Sequence, residues 1–368
     1  MKYDFCVVGG GLSGLTVARE LTNNGYRVLL VEKQSELGGN CRVHTAYGQT
    51  VSSFDIHVWH TKNKELHDYI TRYTHVTPFQ LQAVAQRDNR LYSIPINLQT
   101  LYQFYGIATV PEAIHYYAQV KHNVHTHTDD PDTVAGYCQR TIGTDLYELL
   151  IKEQIEKHWG RPANTLHKRI IQRIPYRTTW NNRYFDTYEY EGIPNFRMLF
   201  TNMADGIDTW LNCDYTHHRA AIQKMAARIV YTGSLDTYYE YCYGVLPYRT
   251  LSFTYEQATD HQQAAMVLYP QKIVPFTRSV DYGILFPEQQ NTTVLGKAYP
   301  QEWNEASGME RMYPIDDTDS AAMYARYVQR AKADGLLYTG RLARYQYMNM
   351  DQVIASARTL VDSIVHGG

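Results

Sequence analysis

The sequence predicts an α/β chain: a Rossmann-like dinucleotide-binding domain, an inserted helical domain and an antiparallel β-sheet domain. Three observations predict it. An apolar run leads into spaced glycines and a helical pattern at "DFCVVGGGLSGLTVAREL". Strand patterns then disappear between roughly 97 and 168, where helical runs dominate. On either side of that insertion, β-branched and aromatic residues punctuated by prolines suggest antiparallel strands.

Taken in order, Tyr3–Val8 reads as a buried strand. Leu12, Leu15, Ala18 and Leu21 recur at helical spacing, and Asn24-Gly25 supplies the stop. "RVLLVE" at 27–32 is a second strand, which completes a βαβ unit. "PEAIHYYAQV" and "TDLYELLIKEQIEKHWG" are helical. Residues 169–190 and 238–313 are expected to be strands. "ARIVYTG" at 227–233 is strand then turn, and the C-terminal segment is strand, loop and a helix starting near Asp351. The expected division interleaves three domains along the chain. The Rossmann-like domain takes 1–80, 191–236 and 317–368, the helical domain 97–168, and the sheet domain 81–96, 169–190 and 237–316.

A chain of 368 residues exceeds one ordinary domain. A formal net charge of -2 argues against a nucleic-acid partner, which needs a clustered basic surface. It leaves room for local anion binding by a few arginines. No stretch approaches the ~18 apolar residues of a transmembrane helix. The N-terminus enters a strand without a basic and apolar leader, so a cytoplasmic location is expected. Cys6, Cys41, Cys138, Cys213 and Cys242 are odd in number and scattered, as free thiols are. Tyrosine occurs 33 times, so its identity alone marks nothing functional.

Gly9, Gly11 and Gly14 have G-x-G-x-x-G spacing. The first allows the tight turn, the second close approach of backbone to a pyrophosphate, the third close packing of helix on strand. The helix N-terminus then faces the phosphates. Glu32 ends the second strand, placed for ribose hydroxyls. Gly38-Gly39 comes next, as such a pair does after the acidic residue in the FAD-dependent amine-oxidase-like superfamily, which this stretch resembles. Gly340-Arg341 precedes the last helix, whose dipole would favour a reduced, anionic flavin. The expected cofactor is FAD. Its expected contacts are Gly9, Gly11, Leu12, Ser13, Gly14, Glu32, Lys33, Gly39, Asn40, Gly340, Arg341, Met350 and Asp351.

The stretch 158–185, "HWGRPANTLHKRIIQRIPYRTTWNNRYF", is rich in Arg yet broken by Trp, Tyr and Pro. Guanidinium forks suit diphosphate oxygens, and tyrosine hydroxyls donate to the same oxygens without adding charge. "VPFTRSV" carries a further arginine, Arg278. His57 and His60 lack the carboxylates or cysteines that would complete a metal site, and no metal is expected. None is expected at His122, His125 and His127 either.

With these motifs in order, the chain resembles the bacterial UDP-galactopyranose mutase family over nearly its whole length. The resemblance rests on "HVWHT" at 57–61, "EKHWGR" at 156–161, "RIPYR" at 173–177 and "NNRYF" at 181–185. It continues through "IVYTG" at 229–233, "VPFTR" at 274–278 and "TGRLARYQYMNMDQVI" at 339–354. It implies that Arg173, on a mobile lid, and Arg278 grip the substrate diphosphate. It also implies that Tyr184, Tyr313 and Tyr347 touch the phosphates, that Trp159 shapes the pocket, and that Arg341 lies by the flavin. His57 falls in the loop facing the flavin, with His60 soon after. The implied reaction has reduced flavin N5 attack the anomeric carbon, with release of UDP, ring opening, reclosure as a furanose and recapture by UDP. There is no net redox. NAD(P)H or another reductant would keep the flavin reduced, and a homodimer is the expected assembly.

Three positions depart from the family pattern. Gln154 and Leu150 stand where aromatic residues are expected against the base. Asp55-Ile56 replaces small residues upstream of His57, and Asn195-Phe196 replaces a glycine pair. They leave open the same chemistry on another sugar nucleotide, such as an N-acetylated or deoxyhexose. Two other classes stand beside the isomerase. A flavin amine-oxidase-like oxidoreductase predicts an apolar tunnel without paired arginines. A non-catalytic sugar-nucleotide binder sits poorly with intact flavin motifs.

Overall fold

In the computed structural model, which describes residues 1–123, 129–185, 190–287, 292–315 and 317–367, strand Tyr3–Val8 is the middle of a five-stranded parallel sheet. Its neighbours in order are Asp208–Trp210, Val28–Val31, the central strand, Ala226–Tyr231 and Leu337–Tyr338. The strand has no polar face because both faces are covered. Phe5 and Val7 join the main core, whereas Cys6 and Val8 join a second cluster with Cys213, Tyr215 and Tyr327. Helix Leu12–Asn23 packs on the first face against the C-terminal helix Met350–His366. The strands of this sheet therefore come from three distant parts of the chain.

The second sheet has seven strands, ordered Tyr313–Pro314, Tyr248–Ala258, Thr293–Glu302, Arg278–Asp281, Met266–Leu268, Ala83–Arg87 and Arg90–Ile94. It is antiparallel except where Met266–Leu268 runs parallel to Ala83–Arg87. A small sheet of Trp59–Thr61, Tyr190–Pro194 and Val76–Pro78 links the two.

The insertion is helical, as its pattern predicts: Leu98–Tyr105, Val110–His122, Val134–Ile142 and Lys152–Trp159. Asn97 and Thr109 each close a capping box at the start of a helix. A π turn at Tyr147–Ile151 interrupts the expected continuous helix.

Two strand expectations are corrected. Residues 169–185 form a short helix, Arg169–Gln172, and then irregular chain with one isolated bridge, Gln82 to Arg183. Pro175 has no donor for a ladder, and the Arg177 guanidinium donates to the carbonyls of Asn181 (3.3 Å), Arg183 (2.7 Å) and Phe185 (2.5 Å), so a side chain organises this segment instead. The last residues of that expected strand, 186–189, lie outside the described residues. Residues 239–247 are turns rather than strand, and pairing begins at Tyr248.

Candidate active site

The glycine turn folds as its chemistry requires. Gly9 has φ +105°, and a Cβ on it would meet Thr232 Oγ1 at 2.2 Å. A Cβ on Gly14 would lie 1.8 Å from the Gly9 carbonyl oxygen, so this glycine serves packing rather than a ligand. Helix Leu12–Asn23 starts beside the turn with Gly11 at its N-cap, and no side chain caps it. The free N–H groups of its first turn are left for an anion. Ser13 is buried here, and its hydroxyl has no partner among the described residues. Glu32 accepts from the N–H of Gly10 at 2.5 Å and of Gln34 at 2.8 Å, which holds its carboxylate at the end of the second strand.

These residues open onto a cavity of about 620 Å³, within the range of cofactor and ligand sites. Gly9, Gly11, Leu12, Ser13, Glu32, Lys33, Gly39, Asn40, Gly340, Arg341 and Met350 all line it. Asp351 does not. It sits in the first turn of the last helix, where its carboxylate accepts from the Gln352 N–H at 2.8 Å. An uncapped helix start, an orphaned buried hydroxyl and a backbone that leaves no room for Cβ atoms fit the pyrophosphate and ribose of FAD.

The same cavity is walled on another side by Arg173, Tyr184, Arg278, Tyr313 and Tyr347, with His57 and His60. Arg173 ends the short helix Arg169–Gln172 and is exposed, because the cavity opens beside it. Its guanidinium lies 4.5 Å from the Tyr347 ring centre, and that of Arg341 lies 4.6 Å from the same ring. Tyr313 and Tyr347 stack nearly parallel, at 5.9 Å and 7°.

Arg278 is different. It is 8% exposed and forks onto the Asp55 carboxylate, with Nε to Oδ1 at 3.0 Å and Nη2 to Oδ2 closer still. The Tyr313 hydroxyl donates to Asp55 Oδ2 at 2.7 Å. Burial raises the Asp55 pKa, but the Arg278 charge and the Tyr313 hydroxyl outweigh it and hold the carboxyl below its ordinary value. Burial and the Asp55 charge together push the Tyr313 hydroxyl well up, so it stays a donor. The Asp55 carbonyl accepts from His57 Nδ1 at 2.7 Å. Burial lowers the His57 pKa, but Cys41 and the Asp55 charge beside the ring outweigh it and hold it above its ordinary value. Burial, then the Arg173 charge, lower the His60 pKa to about 4, so it is neutral near pH 7.

Three expected substrate residues do not reach the cavity. Leu150 is core, 2% exposed. Gln154 turns away and donates to the Thr277 carbonyl at 3.1 Å. Trp159 is buried behind Tyr313, ring centres 6.0 Å apart. The π turn explains part of this, since each added residue rotates the rest of the helix by about 100°. Asn195 caps helix Phe196–Ala204, and Phe196 packs against His57 at 6.3 Å.

Sequence reasoning flagged Asp55 as a departure but not as the partner of Arg278. It also missed Arg311, a buried cavity residue that pairs with Asp236 at 2.6 Å and lies 4.0 Å from the Trp303 ring centre. The alternation of Arg with Tyr and Pro in "ERMYP" at 310–314 was the available signal. His125 and His127 lie outside the described residues. Among the described residues, no three of His, Cys, Asp and Glu come together as metal ligands do. No helix among them is long and apolar enough to cross a membrane.

A parallel Rossmann sheet with this cradle, facing a wall of arginines and tyrosines, defines a flavoprotein of the FAD-binding α/β class with a second compartment lined by cationic and hydroxyl side chains. Comparison with known proteins narrows the class. Residues 149–347 match the family model for UDP-galactopyranose mutase, and residues 7–73 match that for an NAD(P)-binding Rossmann-like domain. The chain belongs to the UDP-galactopyranose mutase family. It is 29% identical to a probable UDP-galactopyranose mutase of Klebsiella pneumoniae, over 98% of this chain and 94% of that one. It is 26% identical to a dTDP-fucopyranose mutase of Escherichia coli, over 95% of each. Its fold matches the crystal structure of a reduced UDP-galactopyranose mutase with a TM-score of 0.72 at 13% identity, covering 100% of this chain and 96% of that one.

Proposed function

We propose that this chain is an isomerase that interconverts the pyranose and furanose forms of a nucleotide-linked hexose, with UDP-galactopyranose as the first candidate substrate. One observation carries the reading. Arg173 and Arg278, far apart in the chain, meet Tyr184, Tyr313 and Tyr347 on one wall of a cavity whose other wall is the dinucleotide cradle. The oxidoreductase reading expects an apolar tunnel without paired arginines, and this wall counts against it.

Each residue then has a task. Arg173 and Arg278 stabilise the diphosphate as it departs with added negative charge. They also hold it close while the sugar rearranges, so recapture stays intramolecular. Tyr184, Tyr313 and Tyr347 supply neutral donors to the same oxygens. His57 lies in the loop on the reactive side of the cofactor, and Arg341 with the start of helix Met350–His366 favours negative charge on the cofactor. Bound and reduced, FAD supplies the nucleophilic nitrogen, with no net redox and no protein nucleophile required. A cellular reductant such as NAD(P)H maintains that state. A homodimer in the cytoplasm is the working assembly and location.

Gln154 and Leu150, both turned from the cavity, leave no aromatic side chain from that helix against the base. Together with the dTDP-fucopyranose mutase relative, this supports a second reading: the same reaction on another sugar nucleotide. The test is a product assay on dithionite-reduced holoenzyme with UDP-galactopyranose and dTDP-fucopyranose in parallel. A furanose product from one of them, formed only by reduced enzyme, is expected. Equal turnover by oxidised enzyme, or no furanose from any nucleotide-hexose, overturns the proposal.

A further inference from the structure

Arg278 faces the cavity already holding an anion. The Asp55 carboxylate accepts four donors: Arg278 Nε at 3.0 Å, Arg278 Nη2, the Tyr313 hydroxyl at 2.7 Å and the Ile56 N–H at 2.8 Å. That fills its acceptor capacity. Two of its partners, Arg278 and Tyr313, are the groups assigned above to the substrate diphosphate. A guanidinium fork plus a tyrosine hydroxyl is the donor set that a phosphate oxygen pair also takes.

The other arginine is not held this way. Among the described residues Arg173 has no carboxylate at ion-pair distance, and it leans on the Tyr347 ring with its head toward the cavity. One half of the clamp is open and the other is engaged.

We propose that Asp55 is a built-in competitor for the diphosphate, an internal anion that Arg278 and Tyr313 hold until a nucleotide displaces it. The inference rests on reading the cavity as a nucleotide-sugar site. Two anions cannot both take the Nε/Nη2 edge of Arg278 and the Tyr313 proton, and a carboxylate left beside a bound diphosphate repels it. Asp55 thus sets the affinity for the nucleotide and makes its release easier. The same residue touches the His57 ring, whose Nδ1 donates to the Asp55 backbone carbonyl at 2.7 Å.

The test uses FAD-loaded full-length protein, wild type and two variants, Asp55→Asn and Asp55→Ser. Binding of UDP, dTDP and uridine is followed by calorimetry and by perturbation of the flavin absorbance. The variants are expected to bind the diphosphate that wild type takes, UDP or dTDP, roughly tenfold or more tightly than wild type, the scale of one like-charge repulsion in a partly buried site. Uridine, which carries no diphosphate, should bind wild type and variants alike. Without ligand the variants should melt lower than wild type, and that diphosphate should raise their melting temperature by more. Diphosphate binding that is unchanged or weaker in variants that retain FAD overturns the competitor role and makes Asp55 a support for Arg278. If wild type itself binds none of UDP, dTDP and uridine, the nucleotide reading fails first and the competitor falls with it.

Discussion

The two walls of the cavity are built in opposite ways. The cofactor wall is backbone, drawn largely from residues 9–14 and 32–41, and its working parts are N–H groups and absent Cβ atoms. The substrate wall is side chains, drawn from Asp55, Arg173, Tyr184, Arg278, Tyr313 and Tyr347 on separate segments. A backbone site is fixed once the local turn forms. A side-chain site depends on every packing contact that aims each residue.

The largest effect should come from the backbone wall. Gly14→Val places a Cβ where the Gly9 carbonyl oxygen lies, 1.8 Å away, and nothing flexible can yield. We expect loss of all bound FAD, read from the absorbance of purified protein. A variant that stays yellow at wild-type stoichiometry would break the distinction between the two walls.

The arginines should separate cleanly from the cofactor. Arg173→Ala and Arg278→Ala should each lower turnover by about 30- to 1,000-fold, the scale of ~2–4 kcal/mol for one transition-state donor, with FAD retained. The two should then diverge in stability. Arg173 is exposed, so its loss costs little. Arg278→Ala leaves the Asp55 carboxylate, 19% exposed, without its counter-ion, which should cost about 3–5 kcal/mol. Denaturant titration of both variants distinguishes them. Equal stability would mean that the Asp55 pair does not hold the resting site.

A smaller effect concerns pH. His60 titrates near 4 in the folded chain, against an ordinary value of 6.5. Below pH 6.5 the unfolded chain takes up a proton that the folded one refuses. The His60 contribution is therefore complete above that range and falls as pH drops toward 4, at up to roughly 1.4 kcal/mol per unit. Wild type should lose more stability than His60→Gln between pH 7 and pH 5. Parallel losses would show that His60 is open to water.

The smallest effect is at Gln154. Its amide is committed to the Thr277 carbonyl, just before Arg278, and it lies off the cavity. Gln154→Tyr should change UDP affinity by no more than about threefold, well below the ~1–3 kcal/mol of a base stacked on an aromatic ring. Strong tightening would show that this helix turns toward the base when nucleotide binds.

Legibility in the chain divides along the same line. The glycine turn, Glu32 and the final helix were legible because each is set by neighbours within a few turns of chain. The segment 169–185 was misread because its aromatic and proline content imitates strand. Only the folded chain shows that Arg177 draws the Asn181, Arg183 and Phe185 carbonyls around itself.

By itself the sequence determined the parallel dinucleotide sheet, its glycine cradle and the residue types suited to a diphosphate. These depend on periodicity, on glycine's missing side chain and on local hydrogen bonds. Tertiary structure alone decided which of those residues face the ligand. It turned Leu150, Gln154 and Trp159 inward and set Asp55 against Arg278, 223 residues further along the chain. The direction of a side chain is fixed by the atoms packed around it, and that packing joins segments that no local pattern relates.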